Sequence, residues 1–544
     1  MPIKSTGCAQ CRKRKIRCDE TRPGCQRCKT HGVACPGYRL PAPGQLAFQD
    51  QTEWTVRNAL RVYRKKQPVV VTVSAADGSS SSDGASSPGS ESGSLGLVST
   101  KSNSSSPDVF HKVRNETMMD FANAMYLYAS PQYLPSPVME KQLIYNTFID
   151  VYVPKRVGEH DAHFSFLQHL ITTSDLRPEV MHSLDAMSMV QVGSLYKDKD
   201  LLRQAVTHYH KALSGLLKTL SGMSAEAVND DCVLATVNLL ANCEFFDEIA
   251  QVGDGWTKHI QGSQQLLAAR GPKSMTSRMS LLIFSNMRHG ALSHSLLMRK
   301  ACFLGTPEWR SVAWRAPYID ASTFLYDIAL QVPALLERYD ELDHKAGDAL
   351  EQVDDILREA KMLETEMRDW FRNYQVRSKW ADQKLYELSD IQNFPTFAGL
   401  IKDRTLKEAF TFPNFMVSYL LSVYWDAMHF LRTMIQSLHK ARHKVQQDWY
   451  PNSDEAVAEE ELMEYVMNLC RCFPFFVEPV SSSTGQIGLF LPLRTAAVYF
   501  TQQGHWSMLR WCGAVRDHAF TRGMRPPNVR ARDPTMIPKE LPVK

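Results

Sequence analysis

No stretch of this 544-residue chain is a long apolar run, and a membrane-crossing helix needs ~18 or more such residues. The longest apolar patch, Leu489 to Phe500, is broken by Pro492 and Arg494. No apolar segment follows Met1-Pro2-Ile3-Lys4-Ser5 before the first cysteine, so a secretory leader is not expected. The chain is then expected on the reducing side of the cell, where its twelve cysteines stay out of disulfides. Catalytic signatures are lacking too: there is no H-E-x-x-H, no G-x-S-x-G and no Walker A loop. Gly253-Asp254-Gly255 begins like a dinucleotide loop, but Lys258 stands where the third glycine belongs. His208 and His210 lie two apart, the wrong spacing for one helix face. Trp256 and His259 read as core and cap residues of a helix. These absences argue against a helical membrane protein, a secreted disulfide scaffold and an enzyme.

Enough apolar residues are present, at 44%, for most of the chain to fold around a core. The length allows about two to four domains. The net charge of +4 hides an asymmetry. Met1 to Lys66 holds fifteen Lys/Arg against four Asp/Glu, a net of +11, which leaves −7 for the remainder. A small basic head on a mildly acidic body points to a polyanion at the head. That head has almost no large apolar residues beyond Ile3, Ile16, Val33 and Tyr38. It cannot build a hydrophobic core, and a metal is the usual substitute at this size.

Six cysteines supply the donors. They are Cys8, Cys11, Cys18, Cys25, Cys28 and Cys35, spaced C-x2-C-x6-C-x6-C-x2-C-x6-C. This is one C-x2-C-x6-C unit written twice. The x2 spacing lets two thiolates in one turn reach a single tetrahedral ion at ~2.3 Å. Three thiolates per half are one too few for a closed structural zinc site. Two halves that share two thiolates give four ligands to each of two Zn²⁺ ions. The resulting charge of −2 is offset by the surrounding Lys/Arg. Pro23-Gly24 supplies the turn that brings the halves together.

The spacing resembles that of the fungal zinc binuclear cluster (zinc-two-cysteine-six) transcription factors at all six cysteines. The resemblance implies that Cys8 and Cys25 bridge both ions, that Cys11 and Cys18 complete one, and that Cys28 and Cys35 complete the other. Cys35-Pro36-Gly37-Tyr38, Phe48-Gln49-Asp50, and Trp256-Thr257-Lys258-His259-Ile260-Gln261-Gly262 with Leu266 to Pro272 are similar to one subgroup of these factors. In that subgroup such segments belong to an all-helical regulatory domain. Factors of this subgroup often govern metabolic or secondary-metabolite gene clusters.

Between Cys11 and Cys18 runs Arg12-Lys13-Arg14-Lys15-Ile16-Arg17. The flanking cysteines pin this basic run to a rigid cluster, so its charges are aimed. Lys and Arg donate to guanine O6 and N7 in the major groove, and modules of this type place a short helix there. The resemblance implies that Arg14 and Lys15 read bases in CGG-like half-sites of double-stranded DNA. Arg12, Lys13, Arg17, Arg22, Arg27 and Lys29 would hold phosphates. Arg12 to Arg17, and equally Arg61 to Lys66, can serve as nuclear import signals. The implied function is zinc-dependent, sequence-specific regulation of RNA polymerase II transcription in the nucleus, with co-regulators as further partners. The alternative is a zinc module whose basic face binds acidic proteins.

The expected organisation is all-α around the small metal module. Residues 1–39 form the two-zinc module and 40–73 a basic linker. Residues 74–108 form a disordered linker, with fifteen Ser and five Gly among the 34 residues from Ser74 to Pro107. Residues 110–523 form the helical regulatory domain, and 524–544 a loose Pro/Arg-rich tail. In the body, Leu201, Ala205, Tyr209, Ala212, Leu216 and Leu220 share one helix face. A similar pattern runs from Cys232 to Ile249 behind the N-cap pair Asn229-Asp230. Ala346, Leu350, Val353, Leu357, Ala360, Leu363, Met367 and Trp370 make a long stripe. It suits either internal packing or the pairing of two chains into a homodimer through the helical domain. Leu46 to Lys66 lacks successive heptads. A fragment spanning residues 1–73 is therefore expected to sediment as a monomer, and a stable dimer would place the pairing element in the linker.

Overall fold

A computed structural model describes residues 8–14, 16, 18–19, 24–36, 137–154, 162–173, 176–221, 225–250, 254–342, 348–377, 384–452, 455–527 and 529. The expected linkers at 40–73 and 74–108 lie outside the described residues, as do Phe48-Gln49-Asp50 and the segment 110–136. The head carries two short helices, α1 (Ala9–Lys13) and α2 (Gln26–Thr30).

Helices dominate the described body. In chain order they are α3 (Pro137–Tyr152), α4 (Ala162–Thr172), α5 (Pro178–Tyr196), α6 (Lys199–Ser221), α7 (Ala225–Asn229), α8 (Asp231–Cys243), α9 (Gly255–Arg270) and α10 (Arg278–Met298). Then come α11 (Pro307–Ala313), α12 (Ala321–Ala329), α13 (Val332–Asp340), α14 (Ala349–Arg377), α15 (Pro395–Leu400), α16 (Phe415–Val445), α17 (Glu459–Val477), α18 (Thr484–Gly488), α19 (Phe490–Gln502) and α20 (Trp506–His518). Two short antiparallel strands, β1 (Glu387–Asp390) and β2 (Glu408–Thr411), flank α15 and pair Leu388 with Phe410. They are a local addition to the expected all-α architecture, and β2 packs on α17.

Local chemistry sets the helix ends. Pro178 opens α5, where a missing N–H costs nothing. Lys197 closes it in the left-handed region at φ 58°, and its N–H reaches Gly193 O. Asp198 then accepts from the N–H groups of Asp200 and Leu201 and starts α6. α5 and α6 thus form a tight helical hairpin. The face of α6 turned inward carries Ala205, Tyr209, Ala212, Leu216 and Leu220, all buried. Asp230 caps α8 by accepting the Cys232 N–H at 2.8 Å.

α16 is the axis of the body's second half. Phe415, Leu421, Ala427, Met428, Leu431, Ile435 and Leu438 bury several of its sides, as a central helix must. α14 and α17 pack on it. Arg432 on α16 ties the three together. Its guanidinium donates to both carboxylate oxygens of Glu364 on α14, at 3.1 and 3.0 Å. It also donates to both oxygens of Glu461 on α17, at 3.0 and 2.7 Å. Arg368 donates to the same two carboxylates.

Of the two readings of the α14 stripe, internal packing holds. The stripe of α14 is not free to pair two chains: Val353, Leu357, Ala360, Leu363, Met367 and Trp370 are buried within the chain. Trp370 donates to Ala321 O at 3.0 Å and stacks near Tyr374 and Tyr424. Ala346 lies outside the described residues. Packing continues past residue 523. Met524 is buried and bridges to Phe246, and Arg525 donates to Phe245 O and Ala250 O.

Replacing Arg432 by Ala leaves Glu364 and Glu461 with only the more exposed Arg368 between them. A loss of about 3 kcal/mol is expected in chemical denaturation. Arg372→Ala, at an exposed pair with Asp369, should cost less than about 0.5 kcal/mol.

Candidate metal centre and nucleic-acid interface

The two C-x2-C turns of the head are built alike. In the first, the Cys11 N–H donates to Cys8 Sγ at 3.4 Å. In the second, the Cys28 N–H donates to Cys25 Sγ at 3.4 Å. In both, sulfur takes the capping place usually held by oxygen at a helix start. The exits match as well: Ile16 N–H meets Cys11 O at 3.1 Å and Val33 N–H meets Cys28 O at 3.1 Å. Gly32, at φ +69°, supplies the left-handed residue that ends α2. The written repeat is therefore also a structural repeat.

The halves meet through their sulfurs. Cys8 Sγ lies 3.7 Å from Cys25 Sγ and 3.7 Å from Cys28 Sγ. Cys11 Sγ and Cys25 Sγ are 3.6 Å apart, and Cys35 Sγ is 3.9 Å from Cys25 Sγ. None of the six is in a disulfide. Their spacing is far from a disulfide bond of about 2.0 Å. It matches the edge of a tetrahedron with zinc–sulfur bonds of ~2.3 Å, which is about 3.8 Å.

The thiols fall into two overlapping groups of four. Cys8, Cys11, Cys18 and Cys25 converge on one point, and Cys8, Cys25, Cys28 and Cys35 on another. Cys8, Cys11, Cys25 and Cys28 are fully buried, and they form the head's own core with Cys18, Val33 and Cys35 packed against them. Burial pushes the Cys11 thiol up to about 12 and raises those of Cys25 and Cys28 as well. Thiolates packed this closely need cations among them, and two Zn²⁺ ions fit the donor set, its spacing and its burial.

Two further residues help to assemble this centre. Asp19 accepts the Gln26 N–H at 2.9 Å, holding the inter-half loop to the start of α2. A side chain on Gly24 would put its Cβ 3.0 Å from Cys35 Cβ. Sequence reasoning took Pro23-Gly24 as a turn only. The place of Gly24 directly before Cys25 was the available hint of close packing.

The basic residues divide by exposure. Lys13, Arg27 and Lys29 are exposed. Arg14 is half-buried, with Nη1 enclosed and without a hydrogen-bond partner among the described residues. The backbone of Arg12 lies in α1. Lys15, Arg17 and Arg22 lie outside the described residues. Ile16 is 39% exposed, whereas its counterpart Val33 packs on the cysteines.

The body's titratable groups read mainly as structural. Trp256 is buried against Phe245 and Phe490. His259 Nε2 lies 2.9 Å from the Tyr209 hydroxyl, which donates to Glu244 at 2.7 Å. Burial lowers His259 to about 4, so it stays neutral. A Cβ on Gly255 would collide with the Glu244 carboxylate, which explains that glycine without a nucleotide. Cys243, Cys302, Cys470, Cys472 and Cys512 are buried free thiols, and Cys232 is half-buried. No helix among the described residues is long and apolar enough to cross a membrane.

Comparison with known proteins agrees with this geometry. Residues 6–44 match the fungal Zn(2)-Cys(6) binuclear cluster domain, and residues 143–373 match the fungal specific transcription factor domain. A phomenoic acid biosynthesis cluster-specific transcriptional regulator of Leptosphaeria maculans is 54% identical over 41 residues, 8% of each chain. An aspercryptin biosynthesis cluster-specific transcription regulator of Emericella nidulans is 51% identical over 43 residues, 8% of this chain and 7% of that one. An uncharacterized protein of Emericella nidulans is 29% identical over 168 residues, 29% of this chain and 35% of that protein. The chain thus spans about a third or less of the length of these curated relatives. No solved structure matches. The chain carries a two-zinc head of the fungal Zn(2)-Cys(6) type and a helical fungal transcription-factor domain, and its relatives include fungal transcription regulators.

Stripping zinc should unfold the head, whose folding energy is metal-binding energy, while most of the helical signal persists. Cys25→Ala should release both ions. One ion in the unaltered head, or a head that stays folded without metal, would refute the shared-thiolate arrangement. Zinc affinity should fall as pH falls, because protons compete for every thiolate.

Proposed function

We propose that this chain is a nuclear, sequence-specific DNA-binding regulator of RNA polymerase II transcription whose grip on DNA requires two zinc ions. Cys8 and Cys25 bridge the ions, Cys11 and Cys18 complete one site, and Cys28 and Cys35 complete the other. The observation that carries the reading is the overlap of two four-thiol groups at Cys8 and Cys25, with the basic run 12–17 held at one end by Cys11 and at the other by Cys18.

Lys15 and Arg14 read bases in CGG-like half-sites. For Arg14 this requires the enclosed guanidinium to swing outward. Arg12, Lys13, Arg17, Arg22, Arg27 and Lys29 hold phosphates; of these, Lys13, Arg27 and Lys29 are exposed as that role needs. The helical domain meets co-regulators. Any homodimer formed through that domain uses a surface other than the buried stripe of α14. The two relatives named for biosynthesis clusters support control of a metabolic or secondary-metabolite gene cluster.

Two kinds of positive charge should separate in binding to randomised sites at several salt concentrations. Lys15→Ala should cost ~1–3 kcal/mol on the preferred site and flatten the preference for guanine. Arg27→Ala should weaken every sequence alike and lower the salt slope by about one unit. If Lys15→Ala spares the preference while Arg27→Ala erases it, the reading face is misassigned. If no DNA sequence is preferred at all, the basic face serves an acidic protein instead.

A further inference from the structure

A second convergence of donor atoms lies in the helical domain, far along the chain from the cysteines. Asp185 on α5 is 4% exposed. Its Oδ1 accepts the Tyr145 hydroxyl at 2.5 Å and pairs with Lys141 Nζ at 2.9 Å. Its Oδ2 lies 3.2 Å from His208 Nδ1 on α6, and Lys141 Nζ reaches it at 3.2 Å. His182, one turn before Asp185 on α5, places its Nδ1 3.1 Å from the same His208 Nδ1. Two histidines and a carboxylate from both arms of one hairpin thus aim at a common point, with all three donor atoms within 4.8 Å of one another.

One shared proton joins the two Nδ1 atoms in an N–H···N hydrogen bond at 3.1 Å, and two protons repel. A cation at the common point satisfies both lone pairs and the carboxylate together. The spacings of 3.1 and 3.2 Å come close to it: zinc–nitrogen and zinc–oxygen bonds of about 2.0–2.2 Å give a tetrahedral edge of about 3.3–3.6 Å. The supporting contacts suit it too. Tyr145 fixes the carboxylate through Oδ1 and leaves Oδ2 for the ion, the usual arrangement behind a ligating group. Lys141 is the present charge partner of Asp185, and its side chain is 37% exposed. It can swing into solvent when a doubly charged ion takes that role.

We propose that His182, Asp185 and His208 form a third, separate zinc site in the helical domain, closed by a water molecule. Three protein ligands and an open fourth position describe an exchangeable site. It holds zinc more weakly than the thiolate cluster. The ion clips α5 to α6, and through Tyr145 it engages α3. The helical domain would then sense free zinc at concentrations where the head is already loaded.

The test counts zinc per full-length chain by elemental mass spectrometry after equilibration in a zinc buffer. The double variant His182→Ala/His208→Ala is expected to hold one ion fewer than the unaltered chain. Cys25→Ala is expected to lose the head's ions and keep this one. Equal zinc in the unaltered chain and the histidine variant overturns the proposal, whatever the head holds. If the variant does not fold, the unaltered chain still decides. Diethylpyrocarbonate labelling, mapped by peptide, should be slowed at His182 and His208 by micromolar Zn²⁺, with His443 as the internal control. Equal labelling with and without zinc at both positions would overturn the site.

Discussion

Metal–thiolate bonding is the constraint on which the cysteine-rich head of this chain depends. Among the described residues the head has no aliphatic or aromatic core to fall back on. Its fully buried side chains are Cys8, Cys11, Cys25 and Cys28, and in a metal-free state their closely packed sulfurs would have to stay protonated. Zinc reverses that balance. It makes the thiolate the stable form and ties four segments distant in sequence to one small cluster. Cys11 and Cys18, at the two ends of the basic run 12–17, both belong to that cluster. Charge alone would bind any polyanion. Charge held in a fixed direction can distinguish one base step from another.

The helical body works by opposite means. It hides large apolar faces, and several of its buried charges are paired. Arg432 joins α14, α16 and α17 through Glu364 and Glu461, and Arg288 on α10 pairs with Asp327 on α12, which also accepts from Trp314. Such pairs cost desolvation and contribute little net stability, but each is intolerant of losing one partner. They fix which helices are neighbours. The outcome is a scaffold whose internal helices, including the stripe of α14, are committed to the fold and closed to outside partners.

Much of this was legible in the residues. The six cysteine positions, the repeat of C-x2-C-x6-C, the inward face of α6 and the cap at Asp230 are all local patterns, and local spacing decides them. What escaped depends on distance in the chain. His208 stands beside His210 in the sequence but on another helix face, and its partner is His182, 26 residues earlier and on the other arm of a hairpin. Arg432 meets carboxylates 68 and 29 residues away. Met524 and Arg525 look like part of a loose Pro/Arg tail by composition, but they pack where α8 gives way to α9. The two short strands flanking α15 carry no clear alternation of apolar and polar residues. Spacing within one element is visible in a sequence; the pairing of two elements is decided by the whole fold.

X-ray absorption at the zinc edge tests the central claim most directly, made on the full chain with His182→Ala/His208→Ala so that only the head contributes. Two ions sharing two thiolates predict a first shell of sulfur alone at ~2.3 Å, together with scattering from a neighbouring zinc. A first shell containing nitrogen or oxygen, or sulfur without a zinc neighbour, would contradict the shared cluster and with it the account of how the basic run is aimed.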